Sequence, residues 1–293
     1  MGNTGPAELL AIWEAGLAHH GPGRALLLHR AARPETAADE LLSLPVGERE
    51  ADLYALRRAL FGERMQIRAE CGACGEAMEF DLDARDLGVR PGERDGPLRV
   101  EEGEWTVEFR LPTVADLEAA ARAAAEAGPS GADGNVGVGA DSGVRVGVDS
   151  DVNAASDSYG GEAGREPTAA ARARRALIAR CIVSVHRSGR PVPADRLPAA
   201  ELPEPVQRRL AEAAERADPA ADVTLSVACP ECGEATRAEL DIASYLWAEL
   251  DHWARDLLLD VHLLATAYGW SEPQILALSP LRRRYYLELC ADG

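Results

Sequence analysis

Lysine is missing: all 31 basic residues of the 293-residue chain are arginine. That excludes chemistry built on a lysine amine, such as a Schiff base or a phosphate loop with its lysine. Aromatic residues are scarce at 5%, and no apolar run approaches the roughly 18 residues of a membrane-spanning helix. Positive charge is in deficit as well. The formal charge of −18 opposes nonspecific binding to nucleic acid or to an anionic membrane, both of which need basic surface. Met1 to Leu17 carries Glu8 and Glu14 and lacks a basic leader followed by an apolar stretch, so it reads as a helix and not as a signal peptide. The expectation is a cytoplasmic protein. There thiols stay reduced, and paired cysteines indicate metal or redox chemistry more than structural disulfides. Enzyme signatures are also wanting. The chain shows no GxSxG, no phosphate-cradling glycine loop and no Ser/His/Asp set, so neither catalysis nor a small-molecule substrate is expected.

Six segments can be read along the chain. Residues 1–62 form an N-terminal helical region, with Leu9, Leu10, Trp13 and Leu17 at helical spacing and a second amphipathic helix over Glu48 to Phe61. Residues 63–127 switch to period 2. Met65, Ile67 and Ala69 alternate before a cysteine pair, Met78, Phe80 and Leu82 after it, and a further hairpin turns at Glu102-Gly103. Thr113 and Asp116 then resemble a capping box that opens a helix. Residues 128–167 collapse to Gly, Ala, Asp, Ser and Val and hold seven acids and two arginines. Such a segment buries too little apolar surface to offset its ordering entropy, so it is expected to be a disordered insert. Residues 168–221 read as a helix over about Thr168–Val185, a proline-punctuated stretch and a short helix. Residues 222–242 alternate around the second cysteine pair. Residues 243–293 belong to C-terminal helices, the first spanning about Ile242–Tyr268 with Leu246, Leu250, Trp253, Leu257, Val261, Leu264 and Tyr268 on one stripe. Short helices are expected from Ser271, with Gln274 three residues on, and from Ser279-Pro280.

The sharpest signal is an internal repeat. Cys71-Gly-Ala-Cys74-Gly-Glu-Ala and Cys229-Pro-Glu-Cys232-Gly-Glu-Ala match in both cysteines and in the Gly-Glu-Ala that follows, and the likeness continues to Leu82-Asp83 and Leu240-Asp241. Two residues between cysteines let one tight turn aim both thiolates at an ion about 2.3 Å away. The glycine after the second cysteine permits a left-handed backbone. One knuckle supplies two ligands, whereas tetrahedral Zn²⁺ takes four. The economical arrangement is one structural zinc held by Cys71, Cys74, Cys229 and Cys232, in a small antiparallel ribbon whose halves are separated by 154 residues. Two sites, each completed by another chain, and a CxxC dithiol oxidoreductase are the competing readings. Four thiolates leave no open position for water, so such a zinc would be structural and not catalytic. Cys181 and Cys290 read as small core residues. Arg282-Arg283-Arg284 is a local basic run suited to an acidic surface on a partner or to charge balance near a helix terminus. The fold class expected is α+β, mainly helical with the split zinc ribbon.

Three stretches carry a family resemblance. They are Phe109-Arg110-Leu111-Pro112-Thr113 with Asp116-Leu117; Asp218-Pro219 with Val223 to Val227 and Cys229-Pro230-Glu231-Cys232-Gly233; and Tyr268-Gly269-Trp270-Ser271-Glu272 with Ile275 to Ser279 and Arg282 to Leu287. Together they resemble the T4-type phage baseplate hub assembly chaperone and baseplate protein family, in a zinc-ribbon form found in gene clusters of contractile tail-like particles. The resemblance implies a nonenzymatic assembly factor or structural baseplate component whose partners are other baseplate or hub proteins. The residues offered to a partner would be Trp247, Trp270, Arg282, Arg283, Arg284 and Tyr285, aromatics and arginines being the side chains that dominate interfaces. A zinc-ribbon regulator that binds nucleic acid is the alternative from another class, and the charge of −18 opposes it.

Overall fold

The computed structural model describes residues 5–88, 92, 96–125, 168–193 and 202–291. The insert read over 128–167 lies outside the described residues. In chain order the helices are α1 (Pro6–Leu17), α2 (Pro22–Ala32), α3 (Ala38–Ser43), α4 (Val46–Phe61), α5 (Val114–Ala125), α6 (Ala169–Cys181), α7 (Glu204–Ala217), α8 (Ile242–Tyr268), α9 (Glu272–Leu276) and α10 (Pro280–Ala291). The strands are β1 (Arg64–Glu70), β2 (Ala77–Asp83), β3 (Leu98–Glu102), β4 (Trp105–Phe109), β5 (Ile182–Arg187), β6 (Arg190–Pro191), β7 (Thr224–Ala228) and β8 (Ala235–Glu239). The fold is mixed, largely helical with small antiparallel sheets, as the residue patterns imply. Two compact units result, Met1–Pro34 with Ile242–Gly293 and Glu35–Asp241.

Among its described residues, the elements of the first unit are all helices. α8 supplies its spine, burying Leu246, Leu250, Ala254, Leu257 and Leu264. The stripe is narrower than its sequence suggests: Trp253 and Val261 are half-buried and Tyr268 is exposed. α1 buries Leu9, Leu10, Trp13 and Gly16, and the Trp13 indole donates to Asp251 at 2.8 Å. Glycine at position 16 is demanded by closeness, since a Cβ there would stand 2.2 Å from the Trp247 ring. That ring is itself covered by the Arg24 guanidinium, 4.4 Å above its centre. Gly16→Ala improves helix propensity by about 1 kcal/mol, yet a pinned ring cannot yield cheaply. The net expectation is a loss of about 1–2 kcal/mol, seen as a lower urea midpoint.

In the second unit, β3, β4, β5 and β6 form one antiparallel sheet in that order. Val100, Val107, Phe109 and Val185 from the sheet pack with Leu202, Val206 and Leu210, the latter two on α7. The helix read over Thr168–Val185 stops at Cys181 and becomes strand β5. Two causes act together: Ile182, Val183 and Val185 are β-branched, and β4 presents an open ladder to pair with. β1 pairs with β2 and β7 with β8 as separate two-stranded sheets. The ribbon expected from the sequence is therefore built as two hairpins, each turning at its own cysteine pair. α4 is anchored through Gly47, whose amide donates to the buried Asp218 carboxylate at 2.9 Å.

Candidate metal centre

The turn at each cysteine pair repeats the backbone hydrogen bonds of the other. In the first, the Cys71 amide donates to the Glu76 carbonyl at 2.8 Å and the Gly75 amide to the Cys71 carbonyl at 2.8 Å. In the second, the Cys229 amide donates to Glu234 at 2.8 Å and the Gly233 amide to Cys229 at 2.9 Å. Gly75 and Gly233 take φ of 74° and 76°, a left-handed conformation that strains any residue with a Cβ. The repeated sequence thus folds into repeated knuckles because both copies place glycine where the turn reverses.

The two knuckles meet. The four Sγ atoms of Cys71, Cys74, Cys229 and Cys232 all lie within 4.8 Å of one another. Contact runs across the hairpins, Cys71 to Cys232 at 3.6 Å and Cys74 to Cys229 at 3.7 Å. Sulfurs about 2.3 Å from a central ion stand about 3.8 Å apart at the tetrahedral angle, so the cluster has the dimensions of a tetrathiolate shell. These separations far exceed the 2.05 Å or so of a disulfide bond. Beneath the sulfurs, Ala69, Met78 and Ala238 pack with Cys71 and Cys229, flanked by Phe80 and Val227. Cys71 and Cys229 are buried, whereas Cys74 and Cys232 are exposed.

Electrostatics fit a cation. The amides of Cys74 and Ala73 point at Cys71 and draw its thiol down to about 6. At Cys74 the largest single influence, the Glu76 amide, also lowers the value. The neighbouring sulfurs of Cys232, Cys71 and Cys229 outweigh it together and push that thiol up to about 12. Cys232 is raised overall even though the Glu234 amide pulls it down. Once one thiolate forms, its neighbours resist ionisation, and a divalent ion held by the four cysteines would offset that penalty.

Sequence reasoning did not find the hub at Asp116, a carboxylate with a side chain 1% exposed. It accepts from Arg110 at 2.5 and 3.1 Å, from Arg180 at 2.8 Å, and from the Thr113 amide and hydroxyl at 3.0 and 2.8 Å. Burial by itself would raise this carboxyl, but the hydrogen bonds from Arg110, Thr113 and Arg180 prevail and hold it well below the usual range. The capping-box spacing signalled the Thr113 contacts. Arg180 is 64 residues away, and nothing local announces it. Next to this hub, Phe109, Leu177, Ile178, Cys181, Ile182 and Leu210 line an open apolar cavity of about 160 Å³. Burial pushes the Cys181 thiol up to about 11, so it stays neutral at physiological pH.

The six residues nominated for partner contact scatter in accessibility. Trp247 is 7% exposed and packs against Gly16. Arg283 is mostly buried and pairs with Asp260 at 3.0 Å. Trp270 is half-buried, stacked on Tyr268 at 4.8 Å and meeting Tyr286 edge-on at 4.9 Å. Arg282 and Arg284 are exposed, and Tyr285 is exposed along with Leu281 and Leu289 on the same helix. Among the described residues no helix is long and apolar enough to cross a membrane.

The four cysteines brought together from two hairpins form a cluster that could hold a metal ion. The particular family follows from comparison: the T4 bacteriophage base plate protein family matches residues 32–244, well over half the chain, and the chain belongs to that family. The match spans both cysteine pairs and the Arg110–Asp116 motif, and leaves 245–293 outside it, including the Tyr268-Gly269-Trp270 stretch. No curated protein and no solved structure matches the chain.

Proposed function

We propose that this chain is a nonenzymatic assembly factor or structural component of the baseplate of a contractile phage tail-like particle, held in shape by one structural Zn²⁺ shared between its two knuckles. The family match carries the reading, and it includes all four cysteines. Zinc suits four thiolates at tetrahedral spacing, and a shell closed by sulfur has no place for a reacting water. The chain acts in the cytoplasm of the producing cell, where the thiols remain reduced and particles assemble. Its partners are other baseplate or hub proteins. The surface they meet centres on Tyr285 with Arg282 and Arg284, while Trp270, Trp247 and Arg283 hold the supporting helices in place.

Two measurements test this. Metal analysis of the purified chain is expected to find about one zinc per chain. Two would indicate separate sites completed by other chains, and none would favour a dithiol. Coexpression with neighbouring tube, hub and sheath proteins is expected to retain at least one of them on the tagged chain, with retention weakened by Tyr285→Ala combined with Arg282→Glu. Failure to retain any tail protein would sink the assembly reading.

A further inference from the structure

We infer that the cysteine cluster is a staple with two chemical forms: peroxide converts the thiolate shell into two disulfides, Cys74–Cys229 and Cys71–Cys232, each running from one hairpin to the other. The inference deepens the reading of the cluster as an architectural link, but its geometry stands on the cysteines alone.

Accessibility and the two cross-hairpin sulfur contacts favour this pairing within a cluster whose four sulfurs all lie within 4.8 Å of one another. Each knuckle has one exposed and one buried cysteine: Cys74 over Cys71 in the first, Cys232 over Cys229 in the second. Exposed Cys74 touches buried Cys229 of the opposite hairpin at 3.7 Å, and exposed Cys232 touches buried Cys71 at 3.6 Å. With a metal bound all four ligands are thiolates, so access decides which sulfurs an oxidant reaches first, and those are the exposed Cys74 and Cys232. The resolving thiol already in place then comes from the other hairpin. Pairing within a knuckle would join sulfurs whose backbone is held by the reversed turn at Gly75 or Gly233.

The chemistry balances with hydrogen peroxide as the oxidant. The Cys74 thiolate attacks one peroxide oxygen, the O–O bond breaks, and the departing hydroxide takes a proton and leaves as water. The resulting S–O bond of the sulfenic acid is broken by the Cys229 sulfur. An S–S bond forms, and the second hydroxide leaves as water after taking a proton. Cys232 and Cys71 repeat the sequence. Four thiolates lose four electrons to two peroxides, and the metal departs as its ligands lose their charge. The hairpins stay joined throughout, first by an ion and then by covalent bonds.

Arginine-specific cleavage reads the result directly, because the chain has no lysine and no arginine lies between the cysteines of either knuckle. Cleavage after Arg68 and Arg85 frees 69–85 with Cys71 and Cys74; cleavage after Arg216 and Arg237 frees 217–237 with Cys229 and Cys232. The intact, metal-loaded full chain is treated with hydrogen peroxide, the released zinc is followed with a chromogenic chelator, and non-reduced peptides are mapped by mass. The expected product is 69–85 covalently joined to 217–237, formed in step with zinc release at about two peroxides per zinc. Cys74→Ser with Cys229→Ser is expected to keep the joined peptide through Cys71 and Cys232. Separate peptides with internal disulfides would overturn the inference, as would sulfinic or sulfonic acids without a disulfide. If the chain carries no zinc on purification yet yields the joined peptides, the zinc reading fails and the cross-hairpin disulfides stand; fragment ions that place the bonds at Cys71–Cys229 and Cys74–Cys232 would overturn the pairing.

Discussion

Cys229→Ser is expected to strip the metal and lower the thermal midpoint by about 10 °C or more. Serine is a poor ligand for zinc, and the remaining three thiols cannot close a tetrahedral shell. Metal affinity at such a site is folding free energy, with apparent values of about 10–16 kcal/mol in small zinc-dependent peptides. Here the hairpins also share an apolar contact through Ala69, Met78 and Ala238, so part of the structure persists and a loss of about 4 kcal/mol is the reasonable scale. For a chain of this size each kcal/mol is worth about 2–4 °C. Cys181→Ser supplies the contrast, since that thiol stands apart from the cluster and should leave metal content unchanged. Calorimetry paired with metal quantitation decides the matter. An unchanged melting point in Cys229→Ser with the metal gone would show that the staple is dispensable.

Asp116→Asn is the second large effect. The variant keeps the shape of the side chain and removes the charge that holds Arg110 and Arg180. Both arginines are roughly half exposed, so water recovers part of their loss. A cost of about 2–3 kcal/mol is expected, below the 3–5 kcal/mol of a wholly buried pair. The pH dependence identifies the cause. The folded carboxyl lies below its usual value, so its stabilisation is fully present above about pH 4, the unfolded value. It disappears as pH falls toward the lower folded value. The stability gap between wild type and Asp116→Asn should therefore narrow as pH is lowered from about 5 to about 2. A gap that stays constant over that interval would mean the amide disturbs packing and not charge.

Much of this could be read from residue order. The span of α8 and the capping boxes at Thr113 and Ser271 followed from apolar spacing and polar caps, which are local physics. The knuckles followed from the repeat, because ligand spacing and a left-handed glycine are local requirements too. What could not be read depended on partners distant in sequence. Ile182 to Val185 would extend a helix by composition alone, but β4 captures them as a strand. Asp116 reads as a cap and acts as a hub because Arg180 arrives from another helix. Trp247 reads as an aromatic available to a partner, yet Gly16 and Arg24 enclose it. The separate pairing of the two hairpins likewise depends on each strand's nearest neighbour and not on the cysteines they share.

The distance between the matched knuckles along the chain also governs synthesis. Cys71 and Cys232 are 161 residues apart. At translation speeds of about 5–20 residues per second, the first knuckle waits on the order of 10–30 s before its counterpart leaves the ribosome. During that interval it can offer an ion only half a shell. Closing so large a loop in one step is entropically expensive and slow. The two half-shells can therefore meet only after the second hairpin has been made.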